Sequence, residues 1–233
     1  MIELAARTFA GHELLVHESD RLALGFTGSG FPAADLKKVF PSLPLLFLKQ
    51  VHSSRIARQS DWRAGLEADG LFLERPGAVA VIQTADCLPL FFFNDDRSRG
   101  GVIHVGWRGL QQGIEENLAT LLGREIGQYV FFLGPAIEKK CYEVGPELPP
   151  LFAKKAYGKD IFTKARHGKY LLDIKAGLKL SLEALGVAPG RIGDCGLCTC
   201  CSGGRFPSYR RDGQTGKRIF NFLLLKVAAP GRD

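Results

Sequence analysis

The sequence predicts an α+β fold, with helices covering a large mixed sheet or two stacked sheets. Three observations predict it. Apolar runs too short for helices crowd the middle of the chain: "ADGLFLE" (68–74), "AVAVIQT" (78–84), "LPLFFFN" (88–94) and "GGVIHVGW" (100–107). A helical period then takes over, with Leu110, Ile114, Leu118 and Leu121 on one face and Gly123 as the stop. Finally, several strands follow one another with no helix between them, which argues against a doubly wound sheet.

The first residues are weakly patterned. "LALGFT" (22–27) reads as a short strand, "GSGFPAAD" (28–35) as a loop and "DLKKVF" (35–40) as a short helix capped by Asp35. "LPLLFLKQV" (43–51) reads as a buried strand. After the central strands and the helix over 110–122, "YVFFLGP" (129–135) returns to strand. "ELPPLFAKKAY" (147–157) reads as a helix entered through prolines. "YLLDI" (170–174) is a strand, and "DIKAGLKLSLEALGV" (173–187) a helix with Asp173 at its N-cap and Gly186 at its end. "RFPSYRR" (205–211) is a turn and "RIFNFLLLK" (218–226) a strong strand, before a tail, "AAPGRD" (228–233), expected to fray.

The 233 residues suit a single domain over 1–233, and 45% hydrophobic residues can build a sizeable core. No run of 18 apolar residues exists, so no membrane span is expected. The opening "MIELAARTFAGHELL" begins with an acid and lacks a basic-then-apolar leader pattern, which predicts a cytoplasmic protein. The net charge of +7 is dispersed, with local pairs such as Lys139-Lys140 and Arg210-Arg211, and no aromatic-interleaved motif accompanies it. Nucleic acid is therefore not expected as a partner, and small anions are favoured. Six cysteines in such a chain do not suggest a disulfide framework.

Three residues share one kind of position. His52 follows an apolar strand in "KQVHSSR", Cys87 lies between two in "TADCLP", and His104 lies in a strand in "GVIHVGWRG". Two imidazoles and a thiolate suit zinc, and three ligands rather than four suit an open site. Equally, the set fits a buried thiol and two hydrogen-bonded histidines, since no short motif joins them. The same set fits blue copper, but the sole methionine is Met1 and five histidines are too few for a multicopper oxidase, so copper is disfavoured. In "GWRGL", Gly106 and Gly109 allow close backbone approach, and Arg108 beside a helix start suits an anion, unless it is a solvated arginine in an ordinary turn. "SYRRDG" places Arg210 and Arg211 in a turn that can hold substrate or simply be solvated. Cys198 and Cys201, in "CGLCTCC" (195–201), have the spacing of half a structural zinc site, with no second pair to complete it; Cys141 is core or borders the site.

The blocks "KQVHSSRI", "ADGLFLERPGAVAVIQTADCLPLFF", "GVIHVGWRGL", "LGPAIEKKCYEVG", "LLDIKAGLKLSLEALGV" and "CTCCSGGRFPSYRRDG" carry a resemblance. The chain resembles the laccase-domain family, also called multicopper polyphenol oxidases and peptidoglycan editing factors. The resemblance implies a four-layer α/β/β/α sandwich with mixed β-sheets and one zinc ion held by His52, Cys87 and His104. It implies phosphorolysis of adenosine, inosine, guanosine and methylthioadenosine, with purine nucleosides and phosphate as the molecules bound, and deamination of adenosine. Gln50, Arg108, Cys141 and Arg210 are the expected substrate-binding residues, and Asp86 and Arg108 the expected catalytic ones, Asp86 moving protons and Arg108 holding phosphate. A role in peptidoglycan editing is also attached to the family. The chain departs from the family pattern in "GFTGSGFPAADL", which lacks an arginine after Phe26. Two other readings stand beside this one: a cysteine hydrolase with Cys87 as nucleophile and His104 as base, and a metal-bound module that binds purines without turnover.

Overall fold

The computed structural model describes residues 2–213 and 216–227; the tail expected to fray lies outside them. Its strands are β1 (Ala5–Phe9), β2 (His12–Glu18), β3 (Leu22–Thr27), β4 (Leu45–Phe47), β5 (Ile56–Arg58), β6 (Gly70–Leu73), β7 (Val79–Thr84) and β8 (Leu88–Asn94). They continue as β9 (Gly100–Val105), β10 (Tyr129–Leu133), β11 (Glu143–Val144), β12 (Phe162–Lys164), β13 (Tyr170–Leu172), β14 (Ile192–Asp194) and β15 (Ile219–Leu225). The helices are α1 (Ala33–Val39), α2 (Trp107–Gln111), α3 (Ile114–Leu122), α4 (Leu148–Leu151), α5 (Ile174–Ala184) and α6 (Tyr209–Asp212).

Two six-stranded mixed sheets face one another. The first has the order β1-β2-β3-β15-β7-β4 and the second β14-β10-β8-β9-β6-β5; β11-β13-β12 form a small third sheet. Alternation along the central strands explains the stacking. In β15, Ile219, Leu223 and Leu225 enter the core between the sheets, whereas Phe220, Phe222 and Leu224 pack on the outer face with Leu36 of α1. In β8, Phe91 and Phe93 point between the sheets, while Leu88, Leu90 and Phe92 pack with Leu110, Leu118 and Leu178 on the helical side. Both faces of these strands are covered, so their sequences read as unbroken apolar runs. The layers are α1, first sheet, second sheet, and α2, α3 and α5, and the expected α+β sandwich holds.

Local differences have local causes. The N-terminal residues form a hairpin, β1–β2, turned by Ala10 (φ 49°) and Gly11 (φ 81°); two successive positive φ values are what a two-residue hairpin turn needs, and Ala-Gly is not its usual signal. Asp35 lies in the first turn of α1, and Pro32 occupies the N-cap. Of the expected strand over 43–51, Leu45–Phe47 forms a strand and Lys49 adds an isolated bridge to Glu67, and only Leu148–Leu151 of the helix over 147–157 forms. "SYRRDG" holds the one-turn helix α6, capped by the Ser208 hydroxyl, which accepts from the Arg211 N–H. Helix α5 follows expectation, with the Asp173 carboxylate accepting from the Ala176 N–H at 3.0 Å and Gly186 at φ 96°.

The helix expected over 110–122 begins earlier, at Trp107, and breaks between α2 and α3 at Gly113, whose φ is 82°. A Cβ there would lie 2.5 Å from Glu116 Oε2, a movable side-chain end, so the left-handed backbone dominates the cost. Gly113→Ala should destabilise the fold by about 1–2 kcal/mol. Urea unfolding with an unchanged slope checks this, and a midpoint equal to the parent's would contradict it.

Candidate metal centre and its cleft

Topology explains why three distant residues meet. Strand β4 pairs parallel with β7 in the first sheet, so both end at the same edge. From that edge the chain crosses to the second sheet twice, from β4 to β5 through His52 and from β7 to β8 through Cys87. In the second sheet β9 runs antiparallel to β8, with His104 opposite Pro89 and Val105 opposite Leu88. The last residues of β9 therefore lie beside the start of β8, next to Cys87.

The ligand atoms of His52, Cys87 and His104 all lie within 4.8 Å of one another. Cys87 Sγ is 4.0 Å from His52 Nε2, and the two imidazole rings are 4.8 Å apart at 77°. A tetrahedral ion with a ~2.3 Å bond to sulfur and a ~2.0 Å bond to nitrogen holds those atoms about 3.5 Å apart, so a small inward movement suffices. Gly106 leaves the space open: a Cβ there would lie 3.0 Å from His52 Cδ2 and 3.2 Å from Cys87 Sγ. Gly109 likewise lets the Ser53 carbonyl approach, 3.1 Å from where its Cβ would be. Donor types, spacing and cradle all fit one metal ion.

Asp69, which the sequence reading passed over, organises both histidines. It is fully buried at the head of β6. Its Oδ1 accepts from the His52 N–H at 3.0 Å and from His104 Nδ1 at 2.8 Å. Its Oδ2 accepts from the N–H groups of Val51 (3.3 Å) and Ser53 (2.7 Å) and from the Ser53 hydroxyl (2.8 Å). These bonds hold His52 at φ 58°, a conformation unusual for a residue with a side chain. They also occupy Nδ1 of His104 and leave Nε2 as its ligand nitrogen. The only sequence signal was an acid, in "ADG", opening an otherwise apolar strand.

Burial pushes the Cys87 thiol up, but the neighbouring His104 and then His52 outweigh it and bring it down to about 6. Burial also disfavours the imidazolium of His104, yet the Cys87 thiolate and the Asp69 carboxylate raise it to about 9. Without metal, the pair is thiolate and imidazolium between those values. A lowered thiol is ionised above its value, so alkylation of chelator-treated protein at Cys87 should accelerate as pH rises through about 6. The pH–rate profile, with Cys87→Ser as blank, checks this; an inflection at the ordinary thiol value would contradict it.

The centre opens into a cleft of about 860 Å³, lined also by Gln50, Gln83, Asp86, Trp107, Arg108, Tyr142, Arg210 and Arg218. The Arg108 guanidinium lies 4.4 Å from the Trp107 ring and that of Arg210 lies 5.5 Å from the Tyr142 ring. Burial, then the nearby Cys87 charge, pushes the Tyr142 phenol up and keeps it neutral. Three of the expected site residues have partners within the protein. Both oxygens of Asp86 (φ 89°) are engaged, Oδ1 by the Thr199 hydroxyl and Oδ2 by the Ser208 hydroxyl (3.0 Å) and the Arg210 N–H (2.7 Å). The side-chain amide of Gln50 brackets the backbone of Gln83, donating to its carbonyl at 2.8 Å and accepting from its N–H at 2.7 Å. Cys141 is absent from the cleft lining; its sulfur lies 3.9 Å from that of Cys198. Residues 28–32, where the family arginine is missing, do not line the cleft either.

Residues 34–226 match the family model described as multi-copper polyphenol oxidoreductase laccase. The chain belongs to this family. Within the multi-copper polyphenol oxidoreductase laccase family, curated relatives carry another name. Purine nucleoside phosphorylase PA4543 of Pseudomonas aeruginosa is 36% identical over 173 residues, covering 73% of this chain and 70% of that protein. Purine nucleoside phosphorylase YfiH of Escherichia coli is 36% identical over 188 residues, covering 79% and 75%. Among solved structures, the hypothetical protein YfiH of Bacillus licheniformis superposes with a TM-score of 0.84 at 26% identity, covering 95% of this chain and 99% of that one. YlmD of Geobacillus stearothermophilus, at 22% identity and a TM-score of 0.83, shares the fold. No helix among the described residues is long and apolar enough to cross a membrane.

Proposed function

We propose that the chain is a zinc-dependent purine nucleoside phosphorylase that also deaminates adenosine. The observation that carries this reading is the His52–Cys87–His104 centre opening into one cleft with Arg108 and Arg210; the names of the curated relatives support it. The cleft has the size of a small-molecule site. One histidine–cysteine–histidine set, with a single methionine and five histidines in the chain, favours zinc over the copper of the family name. The ion, held by His52, Cys87 and His104, would supply Lewis acidity.

In phosphorolysis the ribose C1′–N9 bond breaks, a C1′–O bond to phosphate forms, and the purine leaves with the electron pair and takes up a proton. Arg108 and Arg210, each steadied against an aromatic ring, hold the phosphate dianion, and the neutral Tyr142 phenol offers a hydrogen bond. Fixing phosphate and sugar together makes the displacement effectively unimolecular. Gln50 acts as a positioning residue that fixes Gln83, the amide that meets the purine. Asp86 braces the Arg210 backbone instead of carrying protons. In deamination water adds at purine C6 and ammonia leaves, giving inosine from adenosine.

The test is metal analysis beside a product screen of adenosine, inosine, guanosine and methylthioadenosine. Free base and pentose 1-phosphate should form only when phosphate is present, and inosine should form from adenosine without it. Binding heats with no products would leave a purine-binding module and overturn the proposal. The lowered thiol of Cys87 favours one second reading, a cysteine hydrolase. That reading requires Cys87 to alkylate readily in the metal-loaded protein, whereas a metal thiolate is protected until chelation.

A further inference from the structure

A second group of soft ligands lies outside the cleft lining. The segment carrying "CGLCTCC" is stitched alongside the chain after β10: the Cys195 N–H donates to the Leu133 carbonyl at 3.0 Å, the Ala136 N–H to the Leu197 carbonyl at 3.2 Å, and the Thr199 N–H to the Ala136 carbonyl at 3.1 Å. This brings Cys198 and Cys201 to Cys141, which closes the short turn Lys139–Cys141. The three sulfurs lie within 4.8 Å of one another. Cys198 is buried, Cys141 half-buried and Cys201 exposed.

The surroundings favour a thiolate at Cys198, whereas burial and then the neighbouring Cys201 and Cys198 sulfurs push the Cys141 thiol up, so Cys141 gives up its proton only as an ion enters. Backbone N–H groups of Cys201, Glu138 and Cys200 serve the buried Cys198 sulfur. The Lys140 ammonium lies beside the Cys201 sulfur. The Cys141–Cys198 separation of 3.9 Å is far beyond the ~2.05 Å of a disulfide. It matches two sulfurs on one tetrahedral ion, about 3.8 Å apart for ~2.3 Å metal–sulfur bonds. The Cys-x-x-Cys half-site thus finds its completing ligand 57 residues upstream of Cys198.

We propose that Cys141, Cys198 and Cys201 bind a second thiophilic ion, Zn²⁺ in the first instance, in a site separate from the cleft. Thiolates select soft or borderline ions of this kind. Each ligand thiol gives its proton to solvent as the ion enters, so up to three protons are released per ion. Three thiolates and one divalent ion leave one negative charge, which Lys140 offsets. Solvent fills the fourth position. The ion ties together two walls of the neighbouring cleft: Cys141 precedes Tyr142 and accepts from Arg210 Nη1 at 3.4 Å through its carbonyl, and Cys198 precedes Thr199, which holds Asp86.

The test uses the reduced, demetallated full chain titrated with Zn²⁺ against a chromophoric chelator. The parent should take up two ions, Cys87→Ser one, Cys201→Ser one and the double variant none. Cys201 is exposed, so its replacement leaves the fold intact, which circular dichroism verifies. Cobalt loaded into His52→Ala/His104→Ala should retain a sulfur-to-cobalt charge-transfer band that Cys201→Ser removes. A parent whose single ion is lost in Cys87→Ser, or a Cys201→Ser protein that titrates like the parent, overturns the proposal. Because Cys87→Ser reports on the cleft ion alone, failure of one site is distinguishable from failure of the other.

Discussion

Replacing Cys87 by serine should remove the proposed cleft ion and the proposed nucleoside phosphorolysis together. Cys87 supplies the only sulfur among the three converging ligands, and among the described residues the group it forms with the two imidazoles has no fourth member. Charge stabilisation by a metal ion is worth several kcal/mol, and each 1.36 kcal/mol is a factor of ten, so turnover should fall at least about a thousandfold. His52→Ala should do the same. Its φ of 58° raises the concern that backbone strain, and not the lost ligand, causes the effect. His52→Gly relieves that strain, and loss of metal in both variants isolates the ligand. Zinc analysis and phosphate-dependent release of free base are the measurements. Full turnover by a zinc-free sample would sink the assignment.

Asp69→Asn should damage the centre without touching the cleft. The carboxylate is fully buried and accepts from His104, from three backbone N–H groups and from a hydroxyl. Asparagine keeps the volume but turns one acceptor oxygen into a donor, leaving N–H facing N–H. Metal affinity should drop 10–100-fold, the usual effect of losing a partner behind a ligand histidine. Stability should fall by about 3 kcal/mol or more, because one side of a buried ionic contact is lost. A merely structural role predicts only the second effect. The separating readout is His104 in the metal-free protein: once the Asp69 charge is gone, its titration should move below about 9, observable by NMR. Chelator competition at parent level would refute the positioning role.

The legible parts of the fold were those where one strand or helix announces itself through composition. Strand β8 matches "LPLFFFN" residue for residue, and α5 follows its cap and glycine. Long-range decisions were less legible. The pairing of Ala5–Phe9 with His12–Glu18 depends on an Ala-Gly turn with no strong local signature. The helix over 147–157 failed because a short apolar stretch after two prolines settles into turns once Phe152 and Tyr157 find the core. At the site, His52, Cys87 and His104 stood out because strand ends bearing soft or basic ligands are chemically conspicuous. Asp69 did not, since a carboxylate gains its meaning only when the chain around residues 51–53 folds over it. For Cys141 the sequence offers only its local context, since Cys198 and Cys201, which it meets in the fold, lie far along the chain.

The two passages of chain between the sheets have a mechanical consequence. His52 and Cys87 ride on connectors that leave the first layer, whereas His104 belongs to the second. An ion at their meeting point would act as a rivet through the sandwich. Sliding one layer past the other must stretch its bonds, so loading the rivet should stiffen the whole molecule against shear, far from where any substrate sits.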